Sequence, residues 1–437
     1  MTPGGCHSRV QRFLAHLLGT LFLLSTYASP GVAQEVPNLG DVNKWDFNQV
    51  DFYLLTVGRG PRPEALFGHT ILRVVERPSG LDLSFNWGIF DFTDPTFPWK
   101  FYRGDLNYAL AISETQPLID HYRRYERRSI IQERLVLTVN QKKALYQRLT
   151  DNARPENVYY QYSQFLDNCA TRPRDHLNAV LGDVLRKFFT ARTSPVTRRQ
   201  YIQDSARPSW WVYLGLDMSS NDFLDASISN WDEMFLPSRL RELLFLVPAI
   251  ADDGSLSKDH KLLEAAELIV DMPEPRSDGN PYFLVTIALG WVLVATLLAL
   301  GRHYSEPVAA SLLGAASLVY GLWSAIWGTV LTSNWVISDY VMLKHNAVLW
   351  LVWPVDWIFV VFGVVLLVKR SRPERWQRLT RSVVFLASLH LTALLIVLVL
   401  SQAGVIKQTM QSVLASTGLC GLVYYGTIIR QVSRRES

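Results

Sequence analysis

The sequence predicts an α+β exported domain followed by an all-α membrane domain, on three observations. First, polarity is unevenly divided: the 437-residue chain is 49% hydrophobic and 19% charged, and from Tyr282 onward one apolar run follows another. Second, between residues 34 and 280, runs rich in β-branched and aromatic residues precede runs with helical apolar spacing. Third, Arg9 and Arg12 precede an apolar run from Phe13 to Tyr27 and then Gly31, Val32 and Ala33, which is the layout of a secretory signal over residues 1–33 cleaved before Gln34.

Residues 34–280 are ample for a single core. Residues 52–57 and 70–75 read as strands, and residues 81–87 alternate as a third. Arg77, Pro78, Ser79 and Gly80 supply a turn between the second and third, so a hairpin is the simplest result. Residues 141–152 and 174–189 have helical spacing and no internal proline, which predicts two helices. Pro273, Pro275, Gly279 and Pro281 mark the linker to the membrane.

Five spans are expected, at about 282–301, 308–332, 346–368, 382–400 and 409–429, each close to the roughly 20 residues that cross a bilayer. Lys369, Arg370, Arg372, Arg375, Arg378 and Arg381 follow the third span, and Arg430, Arg434 and Arg435 follow the fifth. Basic loops face the cytoplasm, so residues 34–280 and the connections at 333–345 and 401–408 are expected outside. The net charge of +4 is mostly this loop bias and makes no case for nucleic acid. Asp356 lies within the third span, where an ionisable group is costly and is either functional or held by a buried structural partner.

Cys169 is the only cysteine of the exported segment, since Cys6 lies in the signal and Cys420 in the last span. With no disulfide partner in reach, it reads as a reactive thiol or as a small core residue. His69 stands in the same segment, and an imidazole both lowers a thiol's pKa and carries its proton. A helix beginning just after Asn168 and Cys169 would favour the thiolate further. Arg172 and Arg174 could bind a phosphate or carboxylate, or simply pair with neighbouring acids such as Asp175. Arg123, Arg124, Arg127 and Arg128, interleaved with Tyr122 and Tyr125, suggest either a lipid headgroup contact or a solvated helix face. None of the nine histidines has a zinc-type spacing, and no phosphate-loop or dinucleotide motif occurs, so no cofactor is expected.

The segments Phe67-Gly68-His69-Thr70-Ile71-Leu72-Arg73-Val74, Phe85-Asn86-Trp87-Gly88-Ile89-Phe90-Asp91-Phe92 and Asp167-Asn168-Cys169-Ala170-Thr171-Arg172 together resemble the N-terminal periplasmic domain of Lnb-type proteins. That resemblance covers roughly residues 45–245 and extends into the membrane tail. It implies a circularly permuted papain-like fold of the NlpC/P60 and lecithin:retinol acyltransferase kind, with Cys169 as nucleophile and His69 as general base. The third polar residue should come from the strand paired with the one that His69 opens. Asn86 is the choice, with Ser84 and Asp91 as alternatives, because a one-residue slip of register reverses every side chain.

The same resemblance implies a bacterial inner-membrane enzyme with a periplasmic catalytic domain and a cytoplasmic C-terminus. Its partners would be a phospholipid acyl donor and a lipoprotein whose N-terminal amine takes the acyl group. A wall-peptide peptidase or amidase, and a non-catalytic envelope assembly module, are the competing readings.

Overall fold

The computed structural model describes residues 39, 44–90, 95–105, 107–276, 279–301, 307–369 and 377–433. The expected signal over residues 1–33, Asp91, and much of the basic loop and tail lie outside the described residues.

Strands β1 (Val50–Val57), β2 (His69–Glu76) and β3 (Leu81–Ile89) form an antiparallel meander, so the expected hairpin is present. Helix α1 (Phe97–Arg103) leads into β4 (Asn107–Glu114) and α2 (Thr115–His121), then β5 (Ile130–Arg134), α3 (Val139–Asn152) and β6 (Tyr159–Gln161). Helices α4 (Thr171–Val180), α5 (Val184–Thr190), α6 (Arg198–Ala206) and α7 (Trp210–Ser219) follow, and then β7 (Pro248–Ile250), β8 (Leu256–Lys261) and β9 (Glu267–Val270). The main sheet has the order β6-β4-β3-β2-β1-β5-β9, and β7 pairs with β8 apart from it.

Period-two alternation sorts the strands' side chains to two faces. Phe52, Leu54, Leu72, Val74, Phe85 and Trp87 are buried on one face, where Leu145 and Leu149 of α3 and Leu177 of α4 close the core. Leu55, Val57, Ile71 and Ile130 fill the other face under Ile119 and Tyr122. Both faces are covered, which explains why these strands are apolar almost throughout.

Two expectations are corrected. The single helix over 174–189 is two helices, because Gly182 (φ 67°) and Asp183 (φ 62°) turn left-handed between α4 and α5. Asn178 fixes that corner, its side chain accepting from the Arg186 N–H at 2.9 Å and donating to Asp183 at 2.6 Å.

The third span is not one continuous helix. Short 3-10 turns at Val341–Leu343, Ala347–Trp350 and Pro354–Asp356 precede the helix Trp357–Lys369, and the two halves meet at 52°. Pro354 supplies no backbone N–H there, and Asp356 caps the new start by accepting from the Trp353 N–H at 3.0 Å. The other spans stand as expected, at Phe283–Leu300, Pro307–Ile337, Gln377–Gln402 and Gln411–Gln431. Among the described residues four helices are therefore long and apolar enough to cross a membrane, or five spans if the bent pair is one.

The two regions are joined by backbone as well as side chains. Arg103 O accepts from the Asp339 N–H at 2.7 Å, and Tyr102 bonds to Ser333. Asn221 donates to the carbonyls of Val341 and Lys344, and Gln408 donates to Ser220 O at 2.9 Å. The chain just after α7 and the C-terminal end of α1 thus rest on the connections at 338–346 and 401–410.

Candidate functional site

Register brings the site residues together. His69 opens β2, and Ile71 pairs with Asn86. Paired residues point to one face, so His69, Ile71 and Asn86 share it, with Asn86 diagonal to the imidazole. Asn86 Oδ1 lies 2.5 Å from His69 Nε2 and accepts its proton in hydrogen bonding. Ser84 falls on the same face but is fully buried and bonded to Thr115 at 2.9 Å, so it does not serve the histidine. Asp91 lies outside the described residues.

Cys169 is set by its neighbour. Asn168 Oδ1 accepts from the N–H groups of Ala170 and Thr171 at 2.8 and 2.9 Å, satisfying the first donors of α4. Its amide nitrogen donates to Gln164 O and Phe235 O at 2.7 and 3.0 Å. The asparagine therefore locks the thiol's position at the helix start.

The thiol hydrogen-bonds to His69, and the Thr70 N–H donates to its sulfur. With Nε2 engaged by Asn86, Nδ1 is the nitrogen left for the thiol. Burial pushes the Cys169 thiol up, but the His69 charge and hydrogen bond, the Thr70 N–H and the Arg128 charge outweigh it and hold the thiol below its ordinary range. Burial likewise pushes His69 down, while the Cys169 charge and the bonds to Cys169 and Asn86 win and raise it. The pair accordingly favours thiolate and imidazolium.

Gly88 covers the pair. It sits in a β-bulge between Trp87 and Ile89 with φ 104°, and a Cβ there would lie 3.8 Å from His69 Cε1 and 3.9 Å from Cys169 Cβ. Cys169 itself is half-buried rather than sealed.

Two tyrosines of the domain feel the thiol's charge. Burial raises Tyr160 and Tyr162, and the Cys169 charge adds in the same direction, so both phenols stay neutral donors. Tyr162 stacks on Tyr108 at 4.3 Å. Tyr340, from the connection of the membrane region at 338–346, hydrogen-bonds Gln164 and adds to the rise of Tyr108 and Tyr162. Tyr340 lies flat on Gly104, where a Cβ would meet its ring at 3.2 Å. Nothing in the sequence separated Tyr340 from other interfacial tyrosines.

Of the remaining expected site residues, Arg172 lies next to Tyr160, and Arg174 and Asp356 lie elsewhere. Arg172 is gripped by both oxygens of Asp167 and stacks 4.0 Å from the Tyr160 ring centre. Buried Arg174 donates to Asp175 at 2.8 Å and to Trp231 O at 3.1 Å, over the Trp231 ring. These contacts account for the two arginines without a ligand. Asp356 is fully buried and is bonded by Ser324, the Trp353 N–H and, at 2.8 Å, His390. It ties the bent span to its neighbours and does not join the thiol. No group of three or more His, Cys, Asp or Glu side chains able to hold a metal occurs among the described residues.

An α+β domain presenting a thiol, an imidazole and an amide in series, seated on a bundle of membrane-spanning helices, defines a membrane-anchored envelope protein with a candidate thiol-nucleophile site. More particularly, the family model of the Lnb N-terminal periplasmic domain matches residues 42–204, which assigns that segment to the family. The match includes His69, Asn86, Arg128 and Cys169 and stops short of the membrane region. No curated protein and no solved structure matches the chain.

Proposed function

We propose that the protein is a membrane-bound thiol acyltransferase working at the outer face of the bacterial inner membrane, with a permuted papain-like thiol domain. Cys169 thiolate attacks the carbonyl carbon of a phospholipid ester, and the imidazolium of His69 gives its proton to the departing alkoxide. A thioester on Cys169 and a lysolipid result. The free amine at a lipoprotein's N-terminal lipidated cysteine then attacks the thioester, neutral His69 takes the amine's proton, and an amide forms as the thiolate is regenerated.

One observation carries this reading above a wall-peptide hydrolase: the membrane region reaches the domain beside the thiol, where Tyr340 lies on Gly104 and hydrogen-bonds Gln164, whose carbonyl accepts from Asn168 next to Cys169. A hydrolase of soluble fragments has no use for a membrane loop beside its thiol, whereas a lipid ester must be met at the headgroup level. Exposed Trp99, Phe101, Trp210 and Trp335 on α1, α7 and the second span suit that level.

The test is incubation of the full-length protein with labelled phospholipid and a diacylated lipoprotein peptide. The peptide should gain the mass of one acyl chain, and the fragment 34–280 should lose most of this activity on bilayers. Cleavage of wall peptides with no acyl gain would replace the proposal with the hydrolase.

A further inference from the structure

Arg128 stands out from the basic run that contains it. The π-turn Tyr122–Glu126 ends in Arg127 at φ 54°, and this reversal sends Arg128 inward, where it is only 5% exposed. Two residues later Ile130 pairs with Val57, which pairs on its other side with His69, so Arg128 reaches the sheet end that carries the imidazole. Its guanidinium is held in one orientation. Nε donates to Gly58 O at 2.8 Å, Nη1 donates to Glu126 at 2.8 Å, and the group lies over the Tyr122 ring at 5.3 Å from its centre.

The third nitrogen, Nη2, is buried and has no hydrogen-bond partner. An arginine serving only the fold need not leave such a donor. Arg199, equally buried, places Nε, Nη1 and Nη2 on Asp225, Asp217, Ser220 and Asn221. Glu126, the acid paired with Arg128 among the described residues, engages Nη1 and also meets His121 at 3.2 Å, and it leaves Nη2 free. A fixed cationic N–H without an acceptor beside a nucleophile is an oxygen-binding position awaiting a ligand. The register places Arg128 at the sheet end that carries His69, and its charge acts on both Cys169 and His69.

We infer that Arg128 Nη2 anchors a phosphate oxygen of the ligand at the thiol, and so selects phosphate-bearing acyl donors over neutral glycerides. This deepens the acyltransferase reading and rests on it for the identity of the donor. The chemistry recognised is a phosphate oxyanion, whether in a phospholipid headgroup or in free phosphate.

The experiment compares alkylation of Cys169 by anionic iodoacetate and neutral iodoacetamide in full-length protein in a neutral detergent, with modified peptides mapped by mass spectrometry. The imidazolium favours iodoacetate in every variant, so the change in the ratio of rates isolates Arg128. Arg128→Gln should lower the iodoacetate-to-iodoacetamide ratio by about tenfold, the scale of one charge-assisted hydrogen bond. Arg128→Lys should keep most of it. In the wild type, micelles doped with phosphatidylglycerol should slow iodoacetate more than diacylglycerol-doped micelles do. Slowing by inorganic phosphate but not by phosphatidylglycerol would reassign the anchor to a free anion and overturn selection of the lipid donor.

An unchanged ratio in Arg128→Gln, or equal slowing of both reagents, would overturn the anchor outright. If Arg128→Gln does not fold, the Lys variant and the wild-type protection series decide. Failure of the underlying reading looks different: Cys169 would then react no faster than an ordinary thiol in any variant.

Discussion

Replacing Asn86 with alanine removes the one partner of His69 Nε2 and leaves Cys169, Thr70 and the helix start untouched. The bond it removes is charge-assisted whenever His69 is protonated, and such a bond contributes about 1.5–3 kcal/mol. That stabilisation belongs to the imidazolium and therefore to the thiolate paired with it. Each ~1.4 kcal/mol is tenfold, so on the acid limb, where rate follows the thiolate fraction, alkylation of Cys169 by iodoacetamide should fall by about tenfold to about a hundredfold. Acyl transfer should fall at least as far, in kcat rather than KM, because Asn86 positions the base. Asn86→Asp should retain much of the alkylation rate, since a carboxylate also accepts from Nε2. A change of less than twofold in Asn86→Ala would refute the series of thiol, imidazole and amide.

Three further outcomes are expected. Activity should be bell-shaped in pH: it rises through the lowered Cys169 midpoint, below the ordinary thiol value of about 8.5, and falls through the raised His69 midpoint, and a single rising limb centred at the ordinary value would contradict the pair. By the same signs, the Cys169 contribution to stability is lost as pH falls through its folded midpoint and that of His69 as pH rises through its own, which thermal unfolding against pH can follow. Tyr340→Ala should cut lipid-ester turnover by about tenfold, the scale of one anchoring contact, with iodoacetamide alkylation of Cys169 little changed; equal loss in both would mean that the loop only holds the fold. Asp356→Ala leaves His390, Ser324 and the Trp353 N–H without their acceptor, so it should destabilise the membrane region by about 3–5 kcal/mol, seen as a lowered Tm in detergent.

The sequence spoke clearly where a local rule decides. Strands β1 to β3, the helix behind Asn168 and four of the five apolar spans could be read from alternation, spacing and length. What failed had non-local causes. Choosing between Asn86 and Ser84 needs the register of β2 against β3, which the pattern of this two-sided, nearly all-apolar sheet leaves open. Apolarity predicts a continuous third span because it says nothing of backbone path, although Pro354 is a usable sign of the bend. Arg128 looked like one of four helix-face cations. Only the left-handed turn at Arg127 separates it from them, and a non-glycine residue gives little notice of such a turn. Tyr340 could not have been found, since its meeting with Gly104 and Gln164 depends on how the two regions dock.

The central claim is that Cys169 carries the acyl group. Full-length protein incubated with acyl-labelled phospholipid and no amine acceptor, then digested and mapped by mass spectrometry, tests it directly. The expected result is an acyl adduct on Cys169 that neutral hydroxylamine removes, that is absent in Cys169→Ala, and that disappears when a diacylated lipoprotein peptide is added. Acyl transfer to the peptide that persists in Cys169→Ala would contradict it.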